Sequence, residues 1–442
     1  MGKKISLKKG YNLNLLGEAE KQINEIDPDE LFGFKPTDFE SINPKLIVKE
    51  GDKVKAGQAL FFDKNQPEIK FPSSVSGIVQ EIFRGPKRIV LAIKIIADKN
   101  QVYEKCNFSG KLDQENVLKY LLRTNLWWII QQRPFGCIAN PNDRPKGIFI
   151  SGFDTSPLAP DLSYLIQGNQ EAFNKGLEMI HALAGGNLHI GAKKDTQALF
   201  NYGEIYEFSG PHPAGNVGIQ IHHISPVMPG QLAWTVDVQN VILLGNILLT
   251  GEYHTERIIP ITGSQVNNPE YLKLKIGQSL ESIYGRYTIG EENRYIQGNV
   301  LTGKSSSEND YLSFNTKQIT IIPEGRYQEF MGWVLPSTKK LSLSRTLFSW
   351  IFKNKKFKVD TNTHGEQRPF VVTGQYEKVL PMNIMPVQLL KAILSKDIEK
   401  MEALGITEVI EEDLALCEFV CSSKIDVQKI IREGLDLLKS ES

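Results

Sequence analysis

The sequence predicts an α/β protein of several domains, and three observations support that fold class. The chain has 442 residues, 41% of them hydrophobic, which is enough to bury about three separate cores. Short β-rich runs separated by glycine turns come first, helical stretches alternate with β-rich runs in the middle, and helices come last. This order predicts β-rich, α/β and helical units in succession along a soluble chain.

The first unit is predicted from residues 48–79, which read VKEGDKVKAGQALFFDKNQPEIKFPSSVSGIV. Gly51-Asp52 and Gly57-Gln58 separate short alternating runs, because glycine reaches positive φ at little steric cost. The pattern resembles the barrel-sandwich fold of biotinyl and lipoyl carriers, which hold a modified lysine at a hairpin tip. Lys64 is the aligned residue, but no methionine stands beside it. We therefore interpret Lys64 as an exposed hairpin lysine rather than a modified one.

The middle of the chain alternates between helix and strand patterns. Helical stretches cover Gln114 to Thr124 and Asn169 to Ala184, and β-rich runs cover residues 147–150 and 240–243. This alternation predicts helices packed around a mostly parallel sheet. Residues 256–284 then predict a small β-grasp module of strand, Gly-Ser turn, Asn-Asn-Pro turn, strand and short helix.

The last part of the chain predicts a small helical bundle. Ser395 is placed to cap a helix over residues 396–404 that Gly405 ends, and Asp426 is placed to cap a helix over residues 427–439. Apolar residues recur in both segments at helical spacing, so each helix has a face that can be buried.

An apolar run before the bundle predicts a docking surface. Phe348, Trp350 and Ile351 are followed at once by the lysines 353, 355, 356 and 358. An apolar knob with a basic collar is suited to contact with a membrane subunit or lipid headgroups. The alternative is a buried core strand followed by a solvated lysine turn, because a short apolar run fits either.

Charge and composition exclude several classes of protein. Lys plus Arg and Asp plus Glu both total 51, so the chain has no net positive charge that would favour binding to nucleic acid. The longest apolar stretch, residues 241–249, is far shorter than the roughly 18 residues of a membrane span. No apolar segment of an export signal follows the basic start, and four cysteines do not form a disulfide framework. We expect a cytoplasmic protein without transmembrane segments.

The sequence offers no recognisable catalytic or metal-binding motif. Cys417 and Cys421 are two thiols where an iron-sulfur cubane needs four, and we interpret them as packed helix residues. His212, His222 and His223 lie in a stretch without acidic residues, which fits polar imidazoles in a turn-rich loop better than a zinc site. Glycine-rich nucleotide motifs and hydrolase signatures are absent from the sequence.

Long strings across the whole chain resemble the NqrA family, which supplies one subunit of the sodium-translocating NADH:quinone oxidoreductases. They are MGKKISLKKGYNL, ISGFDTSPLAPD, SGPHPAGNVG, LLTGEYHTERIIPITGSQVNNP and EEDLALCEFVC. The resemblance implies a barrel-sandwich domain (1–103), a Rossmann-like α/β domain (104–254), an SLBB β-grasp domain (255–335) and a docking segment with a C-terminal helical domain (336–442).

The sequence departs from catalytic relatives of this family at their cofactor motifs. Where those relatives place a glycine-rich flavin and nucleotide loop, this chain has residues 126–136 with two adjacent tryptophans. A second signature with two glutamates corresponds to residues 151–157, which have neither, and the cluster motif survives only as Cys417 and Cys421. We therefore expect that this chain has no catalytic residues and no FMN, NADH or iron-sulfur site.

The resemblance implies a peripheral protein on the cytoplasmic face of the bacterial inner membrane. Its partners would be the membrane subunits of a six-subunit complex, in which FMN, FAD, iron-sulfur centres and riboflavin belong to those partners. The possible ligand is a quinone such as ubiquinone, because Trp127, Trp128, Phe135 and Arg133 could offer an aromatic slot with a donor. Core aromatics with a surface arginine are the alternative. Two other functions stay open: a ligand-free docking scaffold, and a self-sufficient NADH-oxidising flavoprotein.

Overall fold

The computed structural model of the chain describes residues 3–326, 331, 338, 340–341, 343, 348–352, 354–370 and 374–441, with Trp350 described by its backbone alone. It confirms the predicted α/β multidomain class. Short 3-10 helices occur at Pro36–Asp38, Pro86–Arg88, Trp127–Ile129, Gln197–Leu199, Phe348–Ile351 and Ile406–Glu408.

The first two strands pair with sheets formed much later in the chain. Strand β1 (Lys4–Ser6) runs parallel to residues 204–209, with Lys4 opposite Glu207. Strand β2 (Glu20–Glu25) runs parallel to residues 270–275. Both strands lie within the range 1–103 of the predicted first domain, yet they extend the sheets of the two domains that follow.

Residues 31–97 form two antiparallel sheets. Their strands are β3 (Leu31–Phe34), β4 (Pro44–Leu46), β5 (Lys53–Val54), β6 (Ala59–Asp63), β7 (Lys70–Pro72), β8 (Gly77–Arg84) and β9 (Val90–Ala97). One sheet has the order β3-β9-β8-β5 and the other β4-β6-β7. The rings of Phe61 and Phe71 stack in the core with centroids 4.6 Å apart, and Lys64 is exposed after β6, as predicted.

Residues 114–250 form the α/β domain. Its elements are α1 (Gln114–Arg123), β10 (Gln131–Arg133), β11 (Cys137–Ile138), β12 (Ile148–Ser151), α2 (Leu162–Gly168), α3 (Gln170–Leu183), β13 (Leu188–Ala192), β14 (Glu204–Ser209), α4 (Val217–Ile224), β15 (Ala233–Thr235) and α5 (Val238–Thr250). The sheet order is β1-β14-β13-β12-β15-β10-β11, with β1, β14, β13, β12 and β15 parallel. The chain therefore crosses from one side of the sheet to the other between β12 and β15, which is a topological switch point.

One secondary-structure prediction in this domain is wrong. Residues 240–243 are not a strand but lie inside α5. Asp237 is the N-cap of this helix, because its side chain accepts a hydrogen bond from the Gln239 N–H at 2.9 Å. The helix is buried on most sides, and the backbone of Ala172 on α3 passes close to Gly245. A helix buried all round has no polar face, so its apolar run cannot be told from a buried strand by periodicity.

The β-grasp module is confirmed. It contains β16 (Glu256–Thr262), β17 (Glu270–Lys275), α6 (Glu281–Tyr287), β18 (Asn293–Gln297), β19 (Lys304–Ser306) and β20 (Ile319–Pro323). Its strands are arranged as β19-β18-β20-β16-β17-β2. The predicted strand, turn, strand and short helix correspond to β16, β17 and α6.

The C-terminal bundle is confirmed as helical. Its helices are α7 (Tyr376–Val379), α8 (Pro386–Leu394), α9 (Ile398–Ala403), α10 (Glu411–Val420) and α11 (Val427–Glu441). Ser395 is not the N-cap of α9, because Asp397 accepts the hydrogen bond from the Lys400 N–H and Ser395 ends α8 instead. Gly405 follows α9 with φ 92°, and α11 begins after Asp426, both as predicted. In the described part of the chain, no helix is long and apolar enough to cross a membrane.

Candidate functional site at the carboxyl edge of the parallel sheet

Charged side chains from four segments of the chain meet near the switch point of the α/β sheet. Arg133 ends β10, Asp237 begins α5, Lys317 precedes β20, and Glu412 and Asp413 lie in the first turn of α10. We call these five residues the charge cluster. It joins the α/β domain to the β-grasp module and to the C-terminal bundle. Asp237 follows the carboxyl end of β15, where ligands of open α/β proteins bind, whereas the backbone of Arg133, on the antiparallel strand β10, pairs with Ala233 at the amino end of β15.

Arg133 is the most buried cation of the charge cluster. Its side chain is 5% exposed, its Nη1 lies 2.5 Å from Asp413 Oδ2, and its Nη2 contacts the Glu412 carboxylate. Burial alone would lower the pKa of Arg133, but the carboxylates of Asp413 and Glu412 outweigh it and raise that pKa. A buried guanidinium of this kind depends on its partners, since an unpaired buried charge is costly.

Helix α4 approaches this ion pair closely. A Cβ atom added to Gly218 would lie 2.5 Å from both Arg133 Nη1 and Asp413 Oδ2, so glycine is needed for the approach. The Asn216 side-chain amide donates to the Glu412 carbonyl at 3.0 Å. The start of α4 is thus fixed against the start of α10.

Lys317 and Asp237 form the second pair of the charge cluster. Their Nζ and Oδ2 atoms are 2.8 Å apart, and the Asp237 carboxylate raises the pKa of Lys317. Burial alone would raise the pKa of Asp237, but the positive charges of Lys317 and Arg257 lower it. Arg257 lies behind this pair, 2% exposed, and burial lowers its pKa to about 10.

A polar loop that follows β12 completes the edge. Thr155 Oγ1 accepts the Gly215 N–H at 2.9 Å and lies 3.1 Å from His212 Nδ1. Burial lowers the pKa of His212 to about 4, although the carboxylates of Asp154 and Asp413 oppose the shift. His212 is therefore neutral at physiological pH.

The edge combines fixed charges with two groups that reach solvent. The side chains of Lys317 and Glu412 are 47% and 37% exposed, whereas Asp413 is 0% exposed. Burial raises the pKa of Glu412, as does the neighbouring Asp413 carboxylate. The arrangement can present one donor and one acceptor to a polar ligand while the buried pairs keep the domains together.

The two tryptophans of the predicted quinone slot are core residues. Trp127 and Trp128 are 0% exposed and form a short 3-10 helix before β10. Trp127 Nε1 donates to the Ala139 carbonyl at 2.7 Å, and Trp128 Nε1 donates to the Tyr253 hydroxyl at 3.4 Å. Each indole N–H thus has a partner, and it could bind a quinone carbonyl only after that hydrogen bond breaks.

Trp128 lies where three parts of the chain meet. Its ring contacts Phe314 edge-on at 5.1 Å and Phe39 at 6.4 Å between centroids. Phe39 belongs to the β-sandwich region and Phe314 to the segment before β20. This position favours the alternative for the tryptophans, namely core aromatics, while quinone binding stays a prediction.

Phe135 is the partly buried member of the predicted slot. It adopts φ 82°, and its carbonyl accepts a hydrogen bond from Arg432 Nη2 at 2.9 Å. The ammonium of Lys439, on α11, lies 5.9 Å from the centroid of its ring. Of the four residues, Phe135 offers the most surface to a ligand, and Arg133 is occupied by carboxylates.

The predicted docking knob is partly described. Phe348 and Ile351 are 52% and 56% exposed in a 3-10 helix, and Phe352 beside them is 51% exposed. The side chain of Trp350 and all of Leu347 and Lys353 lie outside the described residues. At Phe348 and Ile351 the buried-strand alternative does not hold.

Cys417, Cys421, His222 and His223 lie in or directly after helices. Cys417 lies in α10 and Cys421 follows it, both buried as predicted, and Cys421 Sγ accepts the Tyr376 hydroxyl at 2.9 Å. His222 and His223 lie on α4 rather than in a loop, because that apolar stretch forms a helix packed on the sheet. No group of three or more metal-binding side chains occurs within the described ranges.

Sequence reasoning identified Arg133 but missed its partners. Glu412 and Asp413 are in the string EEDLALCEFVC, in which the cysteines carry the family resemblance. Acidic residues in a first helical turn are usually explained by the helix dipole, so their pairing with a distant arginine is not evident from the sequence. Asp237 had a local signal, since it precedes an apolar run at a helix start, whereas Lys317 had none.

Comparison with known families matches three parts of the chain in order. Residues 5–98 match the NqrA N-terminal barrel-sandwich hybrid domain, 112–253 the NqrA second alpha/beta domain, and 258–308 the NQRA C-terminal domain, an SLBB model. A crystal structure of an NAD+-reducing [NiFe]-hydrogenase in the air-oxidized state is 11% identical, covers 77% of this chain and 67% of its own, and has a TM-score of 0.39, too low to support an argument.

Curated relatives match over the full length. The NqrA protein of the Na(+)-translocating NADH-quinone reductase from Yersinia pestis bv. Antiqua (strain Angola) is 36% identical over 450 residues, covering 99% of this chain and 100% of the relative. Its counterpart from Neisseria meningitidis serogroup B (strain ATCC BAA-335 / MC58) is 36% identical over 446 residues, with the same coverage. These matches confirm the resemblance, and the chain belongs to the NqrA family of the Na(+)-translocating NADH-quinone reductases, an oxidoreductase complex.

Proposed function

We propose that this chain is a peripheral subunit on the cytoplasmic face of the membrane, docked on the membrane subunits of a sodium-pumping NADH:quinone reductase. The observation that carries the proposal is the match to NqrA relatives along 99% of this chain. In this role the chain supplies a binding and docking surface, and electron transfer and sodium movement take place in partner subunits.

We further propose that the chain holds no FMN, NADH or iron-sulfur cluster. A nucleotide phosphate needs glycines that let backbone N–H groups approach it. Here the corresponding loop carries Trp127 and Trp128, and the sheet edge beside it is crossed by the pairs Arg133–Asp413 and Lys317–Asp237. These features support a redox-related fold that has become a structural and binding unit.

A quinone headgroup is the ligand we propose for the loop that carries Trp127, Trp128, Arg133 and Phe135. Phe135 supports this choice because its partly buried ring is flanked by the Lys439 ammonium, a donor for a quinone carbonyl. In this arrangement Phe135 packs on the ring, Arg133 fixes the loop to α10, and the buried indoles hold the start of the loop in the core.

A titration of the full chain with a soluble ubiquinone analogue tests this ligand. The five tryptophans report binding by fluorescence quenching. We expect saturable quenching that Phe135→Ala weakens about tenfold, the effect of losing one apolar face. Phe62→Ala, at a half-buried phenylalanine of β6, is the matched control and should leave the affinity unchanged.

The same protein sample separates the other functions. Quenching that is unchanged in both Phe135→Ala and a folded Trp128→Ala variant would remove the proposed site. The paired indole N–H groups favour a ligand-free docking scaffold as the second candidate, and absence of saturable quenching would establish it. A flavin absorbance spectrum would instead support the self-sufficient flavoprotein.

We propose that the knob of Phe348, Trp350 and Ile351 contacts a membrane subunit or lipid headgroups. The exposure of Phe348 and Ile351 supports this role, as do the lysines at 355, 356 and 358 that follow. Changing the three knob residues to serine should reduce assembly with the membrane subunits, measured by co-purification. Normal assembly of that variant would contradict the docking role.

A further inference from the structure

The hairpin of β8 and β9 ends in a tip that the proposed function does not use. The tip, Phe83 to Ile89, reads FRGPKRI, and the sequence has no acidic residue between positions 82 and 97. The Gly85 N–H donates to the Ile89 carbonyl at 2.8 Å, and the Ile89 N–H donates to the Pro86 carbonyl at 3.2 Å. These bonds close the turn.

The tip combines exposed apolar side chains with cations that have no carboxylate partner among the described residues. Phe83 and Ile89 are 46% and 52% exposed, one on each strand where the turn begins and ends. Arg84, Lys87 and Arg88 are exposed between them. In the described part of the chain, none of these three cations has a carboxylate within ion-pair distance, and Arg84 Nη1 donates only to the Arg88 carbonyl at 3.2 Å.

The backbone of the tip is strained at two of its basic residues. Lys87 and Arg88 adopt φ 55° and φ 61° in succession, where turns of this kind favour glycine or asparagine. A left-handed conformation is unfavourable for residues with a Cβ atom, and such strain concentrates at functional positions. The turn therefore keeps two long cationic side chains where glycine would be easier.

These observations fit an anionic lipid surface. Apolar side chains enter the boundary between headgroups and acyl chains, while Lys and Arg next to them extend their charged ends to the phosphates. The attraction is local, because the chain as a whole has zero formal charge.

We propose that the hairpin tip is a second membrane contact, in which Phe83 and Ile89 enter an anionic bilayer and Arg84, Lys87 and Arg88 bind lipid phosphates. This inference rests on the proposed peripheral role at the membrane, but not on quinone binding. The tip then fixes the orientation of the chain beside the membrane partners, because two contacts define an orientation that one cannot.

Vesicle binding by the full chain tests the proposal without other proteins. The probes are phosphatidylcholine vesicles with and without phosphatidylglycerol, at low and high salt, with the bound fraction measured by flotation. We expect binding to anionic vesicles that falls as salt rises. The triple variant R84Q/K87Q/R88Q should bind about a hundredfold more weakly, at about fivefold for each charge removed near the surface.

Two further variants identify which groups act. F83S/I89S should also weaken binding, and its remaining binding should be more sensitive to salt than that of the unchanged chain. K53Q/K64Q/K70Q removes three exposed lysines from other strands and turns of the same domain, so it is the matched control. It should bind as the unchanged chain does.

Several results would overturn the proposal. They are absence of binding to anionic vesicles, equal binding to neutral vesicles, equal losses in the tip and control variants, or binding that depends on the Phe348 knob alone. Quinone quenching and assembly with the membrane subunits are measured on the same samples. If quinone quenching and assembly persist while vesicle binding is absent, the tip proposal is wrong and the proposed function stands. If vesicle binding persists while quenching and assembly are absent, the tip proposal stands and the proposed function is wrong.

Discussion

The loop from Gln132 to Cys137 and the hairpin tip from Phe83 to Ile89 are made of similar residues. Each contains a proline turn, arginine, phenylalanine and a non-glycine residue at positive φ. In the loop, Arg133 is paired with carboxylates of α10, and the Phe135 carbonyl is held by Arg432. In the tip, Arg84 and Arg88 have no carboxylate partner among the described residues.

The difference shows how to interpret a strained basic turn. Where the counter-charges lie in the same chain, the turn joins domains and its strain is stabilised by folding. Where the counter-charges are missing, the same chemistry is left available to a surface outside the chain. Four predictions test this comparison, from the largest expected effect to the smallest.

Removing a counter-charge from the loop should have the largest effect. Asp413→Ala leaves Arg133 buried with one partner fewer and should lower the free energy of unfolding by about 3–5 kcal/mol. Arg88→Ala on the tip should change it by less than about 0.5 kcal/mol. Urea unfolding followed by tryptophan fluorescence measures both, and equal stability of the two variants would refute the comparison.

The stability of the α/β domain around His212 should also be sensitive to acid. Burial holds the pKa of His212 at about 4, below its usual value near 6.5, so the unfolded chain binds a proton first as pH falls. The stability from neutral His212 is complete above about pH 6.5 and is lost toward pH 4, with a total of about 3 kcal/mol. Urea unfolding at several pH values should show a smaller slope for His212→Asn, and an unchanged slope would contradict this assignment.

The close approach at Gly218 gives a third test. Gly218→Ala places a Cβ atom 2.5 Å from Asp413 Oδ2, and the required shift should lower the free energy of unfolding by about 1–3 kcal/mol. Gly285→Ala is the matched control in α6, where a Cβ atom meets nothing within 4 Å. That change should raise stability by up to about 1 kcal/mol in thermal unfolding. A neutral Gly218→Ala would mean that α4 can move away from the ion pair.

The smallest effect concerns the strain of the tip. Lys87→Gly relieves a left-handed residue at φ 55° and should raise the free energy of unfolding by about 1 kcal/mol. Lys70→Gly in β7 should lower it by about 0.5–1 kcal/mol, because glycine weakens a strand. Chemical denaturation of both variants checks the signs, and a destabilised Lys87→Gly would show that the side chain stabilises the fold.

Much of the fold could be predicted because its signals are local. Gly405, at φ 92°, follows the end of α9, and α11 begins directly after Asp426, at the positions that the sequence indicates. The Gly-Ser and Asn-Asn-Pro turns likewise place the strands of the β-grasp module. Residues 240–243 could not be assigned to a helix, because α5 is buried on nearly every side.

The candidate site was harder because its parts are distant in sequence. Arg133 and Asp413 are separated by 280 residues, and no local pattern links them. Lys317 sits in a turn-rich segment that gives no sign of its contact with Asp237. The basic tip is the opposite case: its apolar ends and basic residues adjoin in FRGPKRI, so the pattern is local in the sequence.

The pairing of β1 has a consequence for how the chain is made. During synthesis Lys4 emerges about 200 residues before Glu207, the residue opposite it in the finished sheet. Long-range pairing of this kind is slow, and synthesis proceeds from the amino terminus. The segment before β3 must therefore stay unpaired on the ribosome until the α/β domain and the β-grasp module have emerged. Strands β1 and β2 thus join their sheets only after much later residues have been synthesised.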